Sequence, residues 1–241
     1  MQIISCADYA QASAACADII ARQLQQKPDS VLGLATGSTP LGTYRALVKM
    51  YEAGELSFKK VTTFNLDEYV GLSPAHDQSY AYFMRTNLFD LVDIDPANTN
   101  IPNGLAKDLA AECRRYDALQ QSVCSGLDVQ LLGIGPNGHV GFNEPDDVFT
   151  AGTHRVELAA STIDANARFF ASRDEVPKSA LTVGMRTILC AKKVIIVASG
   201  AAKRDAVRGM LEGPVTPRLP ASILQLHPDA VLIADRAALG E

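Results

Sequence analysis

The sequence predicts an α/β protein: a doubly wound, mostly parallel sheet with helices on both faces, Rossmann-like, carrying a small lid segment. Three observations lead there. Short runs rich in Val, Ile, Leu and Ala recur between longer amphipathic stretches, and near-continuous apolar strands belong to sheets covered on both faces. Each cluster of chemistry-bearing residues falls just after one of those runs, at the strand ends where such sheets bind ligands. The length of 241 residues, with 47% hydrophobic and 20% charged, suits one domain spanning 1–241 with one core.

In chain order, residues 2–5 read as a strand and 9–26 as an Ala-rich helix. Residues 30–35 form a second strand, and 40–53 a helix with Pro40 in its first turn, where a missing N–H is no loss. A third strand is expected over 61–66, then a loop and a helix over 79–89. Residues 108–122 are helical by period and 127–134 a strand. A strand over 193–199, a helix over 201–211 and a last strand over 230–234 complete the alternation. The stretch 146–184 fits it poorly, since two short candidate strands, 155–158 and 180–183, flank a helical 164–172. An excursion of that size beside a site is a candidate lid.

Composition narrows the function classes. The apolar runs are strand-sized and short of a membrane span. The N-terminus lacks the basic flank and apolar core of a signal peptide, so a cytoplasmic location is expected. The cysteines, Cys6, Cys16, Cys113, Cys124 and Cys190, include no Cys-x-x-Cys pair and read as single buried thiols, not a disulfide framework or zinc site. A net charge of −5, with no basic run, argues against nucleic acid and anionic membrane as partners. A small anionic substrate would need local cationic contacts.

Four strand-end clusters carry the candidate chemistry. The turn Ala35-Thr36-Gly37-Ser38-Thr39-Pro40 offers backbone N–H groups and hydroxyls at a helix N-terminus, a setting that attracts phosphate. Taken alone, it leaves open whether Ser38 or Thr39 is only an N-cap. It is not a Walker loop, because no Gly-Lys-Ser/Thr follows. In Phe64-Asn65-Leu66-Asp67-Glu68-Tyr69, two adjacent carboxylates end an apolar strand. Partial burial would raise the pKa of Asp67 and suit it as a base, while Asp67 or Glu68 serving only to cap the next element is the plain alternative.

The third cluster is Gly133-Ile134-Gly135-Pro136-Asn137-Gly138-His139-Val140-Gly141-Phe142-Asn143-Glu144-Pro145, with an amide, an imidazole and a carboxylate among four glycines. A histidine close to a carboxylate at a strand exit is a candidate acid–base pair. Gly133, Gly135 and Gly138 match Gly-x-Gly-x-x-Gly, and Glu157 stands where a ribose-binding acid would. The match fails on context: Gly141, Pro145 and Gly152 break the helix that should start at the third glycine. A metal at His139 and Glu144 lacks a third ligand at recognisable spacing, and His76, His154 and His227 stand apart. The fourth cluster, Ser199-Gly200-Ala201-Ala202-Lys203, places a lysine in a first helical turn, against the macrodipole. An anionic ligand would compensate that conflict, and Arg168 is a second cation carried by the lid segment.

In combination these motifs resemble the glucosamine-6-phosphate deaminases, within the larger family that includes 6-phosphogluconolactonases and ribose-5-phosphate isomerases. The likeness rests on residues 34–40, 64–72 and 138–145, with 166–170, 177–184 and 224–228, and covers almost the whole chain. It implies conversion of D-glucosamine 6-phosphate and water to D-fructose 6-phosphate and ammonia, without metal or organic cofactor. It also implies roles. Asp67 would carry the proton from C2 to C1, His139 would open the pyranose ring, and Glu144 would partner His139. Asn137 stands where relatives carry Asp or Asn. Gly37, Ser38, Thr39, Gly135, Arg168 and Lys203 match positions around the sugar phosphate.

The chain departs from the larger, allosterically activated members. Basic residues after Asn-Glu-Pro are replaced by Asp146 and Asp147, and the chain ends at Glu241. A monomer or small homo-oligomer without a site for N-acetylglucosamine 6-phosphate is therefore expected. A lactonase of the same superfamily is the nearest rival, against which Tyr69 and Phe142-Asn143-Glu144-Pro145 argue. A galactosamine 6-phosphate enzyme is harder to separate, because the contacts that read C4 are not legible. A sugar-phosphate-sensing module would have no reason to keep Asp67, His139 and Glu144 together.

Overall fold

A computed structural model describes residues 1–123 and 126–241. The chain opens with strand β1 (Gln2–Cys6) and helix α1 (Tyr9–Gln26). Asp8 caps α1 by accepting from the Gln11 N–H at 2.8 Å, and Ala12, Cys16, Ala17, Ile20 and Leu24 form its buried stripe. β2 (Val31–Leu34) leads into α2 (Leu41–Glu52), then β3 (Thr62–Asn65) and β4 (Asp67–Tyr69). α3 (Tyr80–Asn87), the short β5 (Thr99–Asn100), α4 (Leu109–Val123) and β6 (Val129–Gly133) follow. The next segment holds β7 (His154–Glu157), α5 (Ala160–Asn166) and β8 (Ser179–Thr182). The chain closes with α6 (Met185–Leu189), β9 (Lys193–Ala198), α7 (Arg204–Glu212), β10 (Ala230–Asp235) and α8 (Arg236–Leu239).

Seven strands pair in parallel in the order β1-β10-β9-β6-β2-β3-β5. Every residue of β10, and all but the first of β9, is buried, so both faces of the sheet are covered. The order reverses between β2 and β6: the chain builds outward through β3 and β5 on one side, then through β6, β9 and β10 on the other. A crevice outside the carboxyl ends of the strands opens at such a reversal. The loops leaving β2 and β6 form its walls.

A second, three-stranded antiparallel sheet, β4-β8-β7, stands beside that crevice. Its central register aligns Asp67 with Thr182 and Thr182 with His154. Leu66 is the hinge between the sheets. Its N–H donates to Leu34 O at 3.1 Å, and its carbonyl accepts from Val183 N at 2.8 Å. Tyr69, Phe142, Leu158 and Ala180 form a small separate core under this sheet.

Several expected boundaries shift. The helix expected over 164–172 begins earlier, as α5, and tightens into a 3-10 turn at Ala167–Phe169. The helix expected from 201 begins as a 3-10 turn, Ala201–Lys203, before α7. Pro40 is the N-cap of α2, one position before its first turn. The reading of the cysteines as buried needs correction. Cys6, Cys16 and Cys113 are buried, but Cys190, the C-cap that ends the short α6, is exposed, and Cys124 lies outside the described residues. Among the described residues no helix is long and apolar enough to cross a membrane.

Candidate active site

β4 is only three residues long, yet it decides what its two carboxylates do. Neighbouring side chains on a strand point to opposite faces, and Asp67 and Glu68 part accordingly. Glu68 turns to α3: its Oε1 accepts from Tyr69 N at 2.8 Å and Tyr80 N at 3.0 Å, and its Oε2 accepts from Ala81 N at 2.9 Å. The capping alternative is thus the right one for Glu68. Burial raises its pKa, partly offset by those three donors. Asp67 is 5% exposed, and burial, then the Glu68 carboxylate, push its pKa well above the ordinary value. A carboxyl group poised in this way gains basicity once ionised.

The loop from β6 runs directly past Asp67. Gly141 has φ +58°, and a methyl group there would meet Thr182 Oγ1 at 3.0 Å and Asp67 Oδ2 at 3.3 Å. The loop is fastened to the end of β8: Phe142 N donates to Thr182 Oγ1 at 3.1 Å, and Asn143 Nδ2 donates to Val183 O at 2.9 Å. Asn143 Nδ2 also donates to Val140 O at 3.0 Å, so the turn is closed on itself.

Upstream, the same loop folds over His139. Gly135 N donates to His139 O at 2.9 Å, and His139 N donates to Asn137 Oδ1 at 3.2 Å. A methyl group at Gly135 would lie 2.4 Å from the imidazole Cε1, so only glycine admits this ring position. His139 Nδ1 faces Glu144 Oε2 at 3.5 Å, an ion-pair distance longer than a hydrogen bond, and that nitrogen has no hydrogen-bond partner in the protein. Asn137 Nδ2 donates to the same Oε2 at 2.8 Å, and Thr162 Oγ1 donates to Oε1. Burial alone would raise the pKa of Glu144. The neighbouring His139 imidazole, then the hydrogen bonds from Thr162 and Asn137, outweigh it and hold the carboxyl below its ordinary value. Glu144 is therefore an anion beside the imidazole.

The cationic half lies across the crevice, at the loop leaving β2. Tyr9 fixes that loop, its hydroxyl donating toward Ser38 O at 2.9 Å and Thr39 O at 3.0 Å and accepting from Gly42 N at 2.8 Å. The N-cap of α2 has no side-chain bond, so neither Ser38 nor Thr39 is spent as a cap. Arg168 Nη2 comes within 3.5 Å of Ser38 Oγ. Lys203 is half-buried, and burial, then the neighbouring Arg168 charge, lower its pKa. Two cations grouped in this way could hold an anion. Thr39 lies against Gly133, where an added methyl group would meet its Oγ1 at 3.4 Å, which joins the two walls.

The structure therefore brings Asn137, His139 and Glu144 together, sets Asp67 beside Gly141 of the same loop, and groups Ser38, Arg168 and Lys203. Gly37 and Thr39 flank Ser38 in its loop, and Gly135 seats the imidazole. Glu157 pairs with Arg155 on the second sheet, and the next helix after Gly138 starts only at Ala160. Among the described residues no group of three or more His, Cys, Asp or Glu side chains could hold a metal ion. His227 is buried and satisfied, with Nε2 at 2.8 Å from Ala191 O and Nδ1 accepting from Asp229 N.

Two side chains that contact the candidate site escaped the sequence. Thr162 sits in a stretch without clear period, and no local pattern announces it. Asp235 was findable, as an acid at the end of the last strand. It accepts from Ser199 Oγ at 2.5 Å and Gly200 N at 3.0 Å, anchoring the turn that presents Lys203, and it caps α8 through Ala238 N.

Known proteins resemble this chain in sequence and fold. A glucosamine-6-phosphate deaminase of Lachnoclostridium phytofermentans is 54% identical over 97% of this chain and 98% of its own length. One of a Geobacillus species is 52% identical over 99% and 95%. The solved structure of a monomeric glucosamine-6-phosphate deaminase superposes with a TM-score of 0.97 at 48% identity, over 100% of this chain and 99% of that one. The 6-phosphogluconolactonase of Thermotoga maritima shares the fold, with a TM-score of 0.76 at 20% identity over 97% of this chain and 99% of its own. The model of the family described as glucosamine-6-phosphate isomerases/6-phosphogluconolactonase matches residues 7–233, and the chain belongs to that family.

Proposed function

We propose that this protein is a glucosamine-6-phosphate deaminase, converting D-glucosamine 6-phosphate and water to D-fructose 6-phosphate and ammonia. The observation that carries the reading is the pairing of two separate acid–base devices on one loop crossing: Asp67 beside Gly141, and His139 with Glu144. Relatives of about half-identical sequence bear that name, which supports the same choice. The lactonase is related at a level that speaks for fold alone.

Chemistry requires two devices. The C2–H bond is acidic only beside a carbonyl, so the pyranose must open to the aldehyde first. His139 moves the proton from O1 to O5, and the anionic Glu144 steadies the imidazolium that forms between the two transfers. Asp67 then takes the C2 proton, leaving the electron pair in an enolised C1–C2 unit, and returns the proton to C1. The result is a C2 imine with a hydroxymethyl C1, and water adds to C2 as ammonia leaves. Lys203, Arg168 and the loop 37–39 hold the phosphate, so that the open chain presents C2 to Asp67. The segment 146–184 would act as the lid over this crevice, keeping water from the enolised intermediate.

Ammonia release from D-glucosamine 6-phosphate, run beside its galacto epimer and 6-phosphogluconolactone hydrolysis, tests the reading. Turnover of the gluco compound is expected. Lactone hydrolysis without ammonia release would replace the deaminase with the lactonase.

A further inference from the structure

Thr162 takes no part in the proton transfers above, yet its hydroxyl donates to Glu144 Oε1. Its side chain is buried, and its position comes from α5: its backbone N–H donates to Ala159 O at 2.9 Å in the first turn. Glu144 is thereby held at both oxygens, Oε1 by Thr162 and Oε2 by Asn137 at 2.8 Å. A carboxylate held at one oxygen only can rotate about its last bond, and the other oxygen then loses its aim. We propose that Thr162 is a positioning residue, fixing the Glu144 carboxylate so that Oε2 faces His139 Nδ1. This rests on the reading of His139 and Glu144 as the ring-opening pair.

The placement of α5 gives the contact a further meaning. The helix runs without a break into the 3-10 turn Ala167–Phe169, so Thr162 stands six residues before Arg168, which reaches Ser38. The element that contacts the candidate phosphate loop at one end therefore grips the catalytic carboxylate at the other. Other charged groups near Glu144 are engaged elsewhere. A cavity of about 410 Å³ beside it is also lined by Asp146, His154, Arg155 and Glu157. Arg155 pairs with Glu157, His154 Nδ1 meets Gly152 O at 3.0 Å, and Asp146 accepts from Asp147 N at 2.6 Å. His139 is thus the basic side chain within ion-pair distance of the Glu144 carboxylate among the described residues.

The hydroxyl also helps to hold the Glu144 pKa down. Its removal raises that pKa, so the acid limb of the kcat profile moves to higher pH, while the phosphate site and KM are left alone.

The test compares Thr162→Val, Thr162→Ser, Glu144→Gln and the Thr162→Val/Glu144→Gln pair, with D-glucosamine 6-phosphate as substrate across the pH range. Thr162→Val is expected to lose about tenfold or more in kcat, as for a hydrogen bond to a charged group, with KM nearly unchanged and the acid limb displaced upward. Thr162→Ser restores both rate and profile. The double variant is no slower than Glu144→Gln alone, because Thr162 acts only through that carboxylate. A Thr162→Val profile that overlays the wild type, a serine variant as slow as the valine one, or additive losses in the pair would each overturn the proposal. A wild-type rate for Glu144→Gln would instead overturn the ring-opening pair itself, and Thr162 with it.

Discussion

At the scale of single residues, Asp67 and Gly135 show what placement demands. Asp67 is withdrawn from water beside Glu68, and its folded-state pKa is raised for those two reasons, in that order. A carboxyl whose pKa is higher folded than unfolded favours the native state below its unfolded pKa and loses that contribution as pH rises through the folded one. Asp67→Asn removes the buried ionisable group. It is expected to raise the melting temperature at pH 7 by a few degrees, about what 1 kcal/mol gives in a chain of this size, with the gap closing near pH 4, about the ordinary Asp pKa. Calorimetry at both pH values checks this, and a lowered melting temperature at pH 7 would contradict it. Gly135→Ala places a methyl group 2.4 Å from the His139 ring, and kcat is expected to fall on the order of 100-fold, as for a displaced catalytic group. A rate within twofold of wild type, or about that, would mean that the ring yields. Asp67, His139 and Glu144 were legible because ionisable groups at the ends of apolar strands are conspicuous. The division of labour between Asp67 and Glu68 was not, since it depends on which face of a three-residue strand meets α3.

At the scale of elements, the two sheets differ in how plainly they are written. The parallel strands are runs such as Val194-Ile195-Ile196-Val197, buried at each position, and their composition alone identifies them. β4, β7 and β8 are three or four residues long, and their pairing joins Asp67 to Thr182 across more than a hundred positions. No periodicity records such a contact, so the second sheet was invisible as a sheet, although two of its strands were expected within the 146–184 segment. The start of α7 was readable through its conflict: Lys203 stands at a positive helix end. Burial first, and then Arg168, lower its pKa, so the ammonium is lost at a lower pH than for an ordinary lysine. Affinity for a phosphorylated substrate should therefore weaken on the alkaline side earlier than the usual lysine value of about 10.4. KM measured from pH 7 upward checks this. Lys203→Ala should raise KM about tenfold or more while flattening that rise, as expected for loss of a charge-assisted contact, and an unchanged KM would remove Lys203 from the phosphate site.

At the scale of the molecule, one reversal of strand order organises everything else. The loops leaving β2 and β6 meet there, and β4, β8 and β7 extend the wall that carries Asp67. The alternation of strands and helices made that crevice foreseeable, whereas the part played by α5 required the three-dimensional contact between Thr162 and Glu144. Asp146 and Asp147 follow Pro145, and Asp147 is paired with Arg218. With that acidic turn, rates are expected to be hyperbolic in substrate and indifferent to N-acetylglucosamine 6-phosphate. A sigmoidal curve made hyperbolic by that compound would contradict this. The central claim is that Asp67 performs the C2-to-C1 proton transfer while the phosphate is held elsewhere, and Asp67→Asn separates the two. Ammonia release from D-glucosamine 6-phosphate should fall by about 10²–10⁴-fold, the usual share of a general base, while calorimetric binding of the same sugar phosphate stays within a few-fold of wild type. Near-normal ammonia release from that variant would contradict the claim outright.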